Sequence, residues 1–138
     1  MIQLGQGNLL KADVEALVNT VNTVGIMGKG VALQFRQAFP KNYEAYRKAC
    51  KAGKVKVGKM FLFHTESWTN PKHIINFPTK NHWRERTKIT YIKSGMVDLK
   101  RIIREEGIRS IAIPPLGCGS GGLRWNEVRP IIEESLTD

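Results

Sequence analysis

Three stretches of this sequence carry residues whose types and spacing suit chemistry. The first is Asn19-Thr20-Val21-Asn22-Thr23-Val24-Gly25-Ile26-Met27-Gly28-Lys29-Gly30-Val31, which leaves the apolar run Ala16-Leu17-Val18 and enters a segment of helical period. A strand, a glycine loop and a helix N-terminus together make an anion site, because backbone N–H groups face the ligand and the helix dipole favours negative charge. Glycine lets the backbone come close without a Cβ clash. The spacing Gly25-x-x-Gly28-x-Gly30 fits neither the dinucleotide fingerprint nor the Walker A loop. Taken alone, it is equally a tight strand-to-helix turn. The second stretch is Leu116-Gly117-Cys118-Gly119-Ser120-Gly121-Gly122-Leu123, between the apolar run Ser110-Ile111-Ala112-Ile113-Pro114-Pro115 and the helix opening Arg124-Trp125-Asn126-Glu127. Strand, glycine loop and helix therefore occur twice. In an open α/β sheet ligands bind beyond the carboxyl ends of the strands, so two such loops side by side suit an elongated, phosphate-containing ligand. The third stretch is Asn76-Phe77-Pro78-Thr79-Lys80, where a lysine follows a strand end.

Lys80 is the first candidate catalytic residue. A lysine near other cations can have a lowered pKa and become nucleophilic; by residue statistics alone it is one more solvated lysine in a basic loop. Asn22 is the second. Its amide can hold a ribose hydroxyl through donor and acceptor alike, or cap its own loop. Cys118 is either a nucleophile or, as free cysteines commonly are, a small residue packed under the loop. Carboxylate chemistry looks poor: Asp13, Asp98 and Asp138 are the only aspartates, and neither glycine loop holds an Asp or Glu. A glycosidase-type carboxylate pair has no obvious members. His64, His73 and His82 lack tight ligand spacing, so no metal site is expected. Ser120 lacks a nucleophile-elbow context.

The motifs resemble the two ligand loops of the macrodomain family, which are ADP-ribose-binding modules. Val18-Asn19-Thr20-Val21-Asn22 with Gly28-Lys29-Gly30-Val31-Ala32 matches the first loop, and Pro115-Leu116-Gly117-Cys118-Gly119 the second. Gly7-Asn8-Leu9 resembles the family's Gly-Asp-Ile or Gly-Asp-Leu adenine corner. Asn76-Phe77-Pro78-Thr79-Lys80 resembles the branch holding terminal ADP-ribose protein glycohydrolases and antitoxin-type DNA ADP-ribosyl glycohydrolases. The resemblance covers nearly the whole chain, with the motifs in family order. It implies ADP-ribose contacts from Asn8, Leu9, Gly28, Lys29, Gly30, Val31, Gly117, Cys118, Gly119, Ser120 and Gly121, and a catalytic role for Lys80. It implies no cofactor. The protein-directed enzymes carry an Asp in the second loop where Gly121 stands here, a departure that favours the DNA-directed branch. Asn8 replaces the family's usual Asp; its carbonyl can still accept from the adenine amino group, without charge assistance. For the antitoxin branch the implied substrate is ADP-ribosylated thymidine in single-stranded DNA, and the implied partner a DNA ADP-ribosyltransferase toxin. Competing activities are hydrolysis of ADP-ribosyl-protein or O-acyl-ADP-ribose, and plain ADP-ribose binding without catalysis.

Charge agrees with a polyanionic partner. Twenty-two basic side chains stand against 12 acidic ones, for a net +10, which points to nucleic acid. Lys48, Lys51, Lys54, Lys56 and Lys59 form one cluster; Lys80, Arg84, Arg86, Lys88 and Lys93 form another. His82 and Trp83 sit inside the second beside Arg84, the aromatic interleaving of a single-strand binder. No stretch approaches the roughly 18 apolar residues of a membrane span. Met1 is followed by no secretory pattern. Cys50 and Cys118 are therefore expected reduced, in the cytoplasm.

These residues must be positioned by strands near 2–4, 15–19, 59–64, 73–77 and 110–113, and by helices over 31–39, 43–51, 92–106 and 125–136. Val31, Phe35 and Ala38 share one helical face; Asn42 is a candidate N-cap; Gly107 ends the third helix. Pro130 fits best in a first turn, so the start of the last helix reads as a separate turn. Strands alternating with helices predict one three-layer α/β domain over residues 1–138, a central mixed sheet flanked by helices. The family normally carries a further strand after the last helix. No apolar run remains to form it before Asp138, so the full-length domain is expected to continue.

Overall fold

Strand β1 (Ala16–Asn22) lies at the heart of the sheet, and its alternating side chains define the two faces. The computed structural model describes residues 8–137; the expected strand at 2–4 and Gly7 lie outside them. After β1 come α1 (Gly30–Ala38), α2 (Pro40–Lys51), β2 (Phe61–His64), β3 (His73–Lys80), α3 (Ile89–Glu106), β4 (Ile111–Ala112) and α4 (Trp125–Leu136), with a short 3-10 turn at Leu9–Lys11 before them. The strand order is β2-β3-β1-β4. β1 runs parallel to both β3 and β4, while β2 pairs antiparallel with β3.

Three layers follow from the two-residue period of the strands. Ala16 and Val18 of β1, with Ile75 and Phe77 of β3, pack against Ile92, Met96, Leu99 and Ile102 of α3 and Val128 and Ile132 of α4. Leu17 and Ile74 face the other way, onto Phe35 of α1, and Val21 meets Tyr46 and Ala49 of α2. Each full burial of such an apolar side chain contributes on the order of 1.5–3 kcal/mol. Both faces are covered, as parallel strands require. The α/β three-layer expectation is met.

Several local expectations are corrected. Pro40 opens α2 at its first position, where its missing N–H costs nothing. Asn42 is therefore not a cap: it is fully buried inside α2 and exchanges hydrogen bonds with Asn76 of β3, Nδ2 to Oδ1 at 3.2 Å and back at 2.8 Å. Ala38 is exposed at the end of α1, leaving Phe35 as the buried anchor. α4 is one helix with Pro130 inside it, not a turn plus a helix. The carbonyl that Pro130 leaves unpaired belongs to exposed Asn126, where water can reach it. β3 runs three residues beyond the expected end and contains Pro78. β2 pairs with β3 only as far as Asn76, so Pro78 faces an unpaired edge on that side.

Candidate active site

Because β1, β3 and β4 are parallel, their carboxyl ends emerge on one edge of the sheet. The first glycine loop leaves β1 there, and the second follows β4. Lys80 is the last residue of β3 and pairs directly with Asn22, the last of β1, across a register shift. The topology therefore brings together the three stretches singled out in the sequence.

Asn22 organises the first loop. Its Oδ1 accepts from the backbone N–H groups of Val24, Gly25 and Ile26 at 3.1, 3.2 and 3.3 Å, and its Nδ2 donates to the Ile26 carbonyl at 2.9 Å. From below, the Tyr46 hydroxyl lies 2.8 Å from both Asn22 Oδ1 and the Asn22 carbonyl. Burial, and Cys50 alongside, push the Tyr46 phenol far above its ordinary range, so it stays a donor. The amide that could hold a ribose hydroxyl is thus largely engaged with its own loop; one Nδ2 hydrogen remains. Gly25 and Gly30 both take positive φ, +96° and +63°, backbone that side chains rarely adopt. Gly28, Lys29 and Gly30 are exposed at the entrance to α1, and Val31 packs partly against the Phe35 cluster. Asn8 is exposed and caps the 3-10 turn through Oδ1 to the Leu10 N–H, 3.0 Å; Leu9 packs inward beside it.

The second loop is braced by Thr87, a residue the sequence gives no reason to notice. The Thr87 N–H donates to the Gly121 carbonyl at 2.9 Å. A Cβ on Gly121 would sit 2.4 Å from Thr87 Oγ1 and 2.5 Å from the Gly117 carbonyl oxygen. Position 121 therefore has no space for any side chain in this loop. Gly119, by contrast, has nothing within 4 Å of such a Cβ. Cys118 is half-buried against the core, its thiol donating weakly to the Leu116 carbonyl and held above its usual pKa by burial and by Glu127. It is not poised as a thiolate.

Lys80 bridges the site. It is only 8% exposed, and its Nζ donates to Ser120 Oγ at 3.2 Å. Burial lowers its pKa first, and the Lys29 ammonium lowers it further, with Glu85 opposing. The sequence reading missed Glu85 because it lies in neither glycine loop. It belongs to the connection after β3, where its Oε1 accepts from the Asn81 N–H. Thr23 of the first loop clasps the same connection through its N–H and hydroxyl to the Asn81 carbonyl, 3.3 and 2.9 Å. Beneath the site, buried Asn19 Nδ2 donates to Asn76 Oδ1 at 3.2 Å, tying β1 to β3 through polar groups.

His82, Trp83 and Arg84 follow Lys80 outward. The His82 and Trp83 rings lie 4.9 Å apart, the Arg84 guanidinium sits 4.5 Å over the Trp83 ring, and all three residues are exposed. A flat aromatic face backed by a cation suits a nucleobase. His64 and His73 are elsewhere, at the opposite end of β3. The hairpin register sets them face to face, although their sequence spacing hides it. Among the described residues, no helix is long and apolar enough to cross a membrane.

With this geometry in view, the comparisons with known proteins are specific. Residues 18–132 match the Macro domain family model. The chain belongs to the macrodomain family. It is 59% identical over 128 residues to the DNA ADP-ribosyl glycohydrolase of Mycobacterium tuberculosis, covering 93% of this chain and 36% of that protein. It is 34% identical over 151 residues to a DNA ADP-ribosyl transferase-DNA ADP-ribosyl glycohydrolase fusion protein of Thermosipho africanus, covering 99% of this chain and 39% of the fusion. Among solved structures, the macrodomain of M. tuberculosis DarG superposes with a TM-score of 0.98 at 55% identity, covering 99% of this chain and 90% of that one. The T. africanus DarTG complex with ADP-ribose superposes at 0.89 with 37% identity, covering 95% and 37%. The chain spans little more than a third of the length of these two curated relatives.

Proposed function

We propose that this domain is a DNA ADP-ribosyl glycohydrolase: it seats ADP-ribose between the two glycine loops and removes it from a modified base, thymidine, in single-stranded DNA. The observation that carries the reading is Lys80, buried at the meeting point of both loops with a depressed pKa and a hydrogen bond to Ser120. The first loop and the N-terminus of α1 take the diphosphate; Gly117, Cys118, Gly119, Ser120 and Gly121 take the distal ribose; Asn8 and Leu9 take the adenine. Asn22 holds the first loop in shape and offers its one remaining N–H to the ligand.

Cleavage breaks the bond between ribose C1″ and the base, and the base departs as an anion unless it is protonated. As an ammonium, Lys80 gives that proton or stabilises the charge while water adds to C1″. As an amine, it attacks C1″, and water later releases the adduct. We favour the ammonium role, since Gly121 leaves no room for the carboxylate that resolving an adduct calls for. His82, Trp83 and Arg84 receive the strand. A DNA ADP-ribosyltransferase toxin is the fitting partner, supported by the fusion of the two activities in the T. africanus relative. The reading carries a cytoplasmic location with it, in keeping with the free thiols of Cys50 and Cys118.

The test is to offer ADP-ribosylated single-stranded DNA and ADP-ribosylated protein side by side and to measure released ADP-ribose. Release from DNA and not from protein is expected. Release from protein alone, or binding without release from either, overturns the proposal.

A further inference from the structure

We propose a divalent transition-metal site formed by His64, His73 and Glu106, with zinc as its fitting occupant. It lies far from the ADP-ribose edge and is independent of the glycohydrolase reading. His64 closes β2, His73 opens β3, and Glu106 is the last residue of α3. One ligand atom from each lies within 4.8 Å of the other two.

Four observations converge. The backbone itself sets the two histidines side by side: His64 and His73 are direct cross-strand partners. Their Nδ1 atoms are 3.2 Å apart. Two nitrogens bound tetrahedrally at about 2.0–2.1 Å stand about 3.3–3.4 Å from each other. Glu106 Oε1 lies 3.8 Å from the other nitrogen of His64, Nε2, so a metal on the two Nδ1 atoms requires the exposed Glu106 carboxylate or the exposed His64 ring to turn. The electrostatics also call for a cation. Glu106 puts a carboxylate at the C-terminus of α3, where the helix dipole is already negative. Protonating both imidazoles cannot supply the charge, because two imidazolium rings at this distance repel. A dication held by neutral imidazoles can.

Two histidines and one carboxylate with a fourth position open to water form a donor set for zinc and its borderline neighbours. The site would tie the β2–β3 hairpin to the end of α3. His73 is seven residues before Lys80 along β3, roughly 23 Å at about 3.3 Å per residue. Metal binding therefore should not alter ADP-ribose affinity.

The test uses the tag-free chain in metal-stripped buffer, titrated with zinc chloride in a calorimeter and followed by thermal melting. One equivalent of zinc is expected, with a rise in Tm that a chelator reverses. Glu106→Gln and His73→Ala should each weaken zinc binding at least about tenfold and cancel the Tm rise; exposed His64→Ala serves where His73→Ala folds poorly. ADP-ribose affinity should match with and without zinc. Failure to take up an equivalent of zinc overturns the assignment, and so does uptake unchanged in Glu106→Gln and His64→Ala, which directs attention to Cys50, Cys118 or His82.

Discussion

Lys80 Nζ and Ser120 Oγ, 3.2 Å apart, join the end of β3 to the second glycine loop. The donor comes from a buried residue and the acceptor from an exposed one. Lys80 therefore points from the core toward the second loop, and Ser120 fixes where its amine rests.

Lys80→Ala should abolish turnover of ADP-ribosylated DNA while ADP-ribose still binds, since the two loops supply most of that affinity. Single-turnover assays with parallel calorimetry check this; turnover at the wild-type rate rejects the catalytic assignment. Borohydride trapping separates the two chemical routes, because only the covalent one leaves a reducible adduct on Lys80.

The same lysine burdens the fold. Its folded pKa lies below the ordinary lysine value of about 10.4. Between those two pKa values the unfolded chain binds more protons, so stability rises with pH across that window. Below the folded pKa the penalty is complete. Lys80→Met should therefore melt higher than wild type at pH 7, and the gap should shrink as pH approaches 10. Scanning calorimetry at several pH values reads it; a lower-melting Met variant at neutral pH contradicts it.

Tyr46→Phe removes the hydroxyl that lies 2.8 Å from Asn22 Oδ1 and from the Asn22 carbonyl. The loss should cost about 0.5–1.5 kcal/mol of stability, the net worth of one hydrogen bond, since Asn22 Oδ1 keeps its three backbone donors. ADP-ribose affinity should fall with it. Asn22→Ala, which orphans the Val24, Gly25 and Ile26 N–H groups, should lower binding and turnover together. That pattern differs from the turnover-only defect of Lys80→Ala.

Gly119 and Gly121 should respond in opposite ways. Gly119→Leu meets open space, so stability should stay within about 0.5 kcal/mol while ADP-ribose affinity drops at least about tenfold, or about 1.4 kcal/mol. Gly121→Asp should distort the loop against Thr87 and lower Tm without conferring activity on ADP-ribosyl-protein. Denaturant melts and binding titrations distinguish the two.

Affinity for unmodified single-stranded DNA should fall steeply with salt as phosphate contacts release counterions. Trp83→Ala should remove about 1–3 kcal/mol, the worth of one stacked base, without changing the salt slope. A flat salt dependence refutes the nucleic-acid role of the +10 charge.

How much of this was legible depends on where each signal resides. The glycine loops showed because positions such as Gly25 need a backbone that a side chain forbids. The layers showed because β1 and α3 keep their periods. Asn42 was misread because an N-cap and a buried amide bridge favour the same residue type; only the fold supplies Asn76 as its partner. Tyr46, Glu85 and Thr87 left no trace, since each acts on a loop remote in sequence or on the far side of the sheet. Lys80 was found through the family motif, but its contact with Ser120 exists only once β3 and the second loop meet.

Both neighbours of β1 come from far along the chain: Leu17 pairs with Ile74 on one side and Ala112 on the other. Neither pairing is a hairpin, and closures of this length are the slow ones in folding. A chain emerging from the ribosome therefore cannot bring its two glycine loops together until its last third is free to dock. By the register of Leu17 with Ala112, β1 waits on a partner translated 95 positions later. Ligand can select only the finished sheet, so its stabilising effect should appear as slower unfolding rather than faster folding.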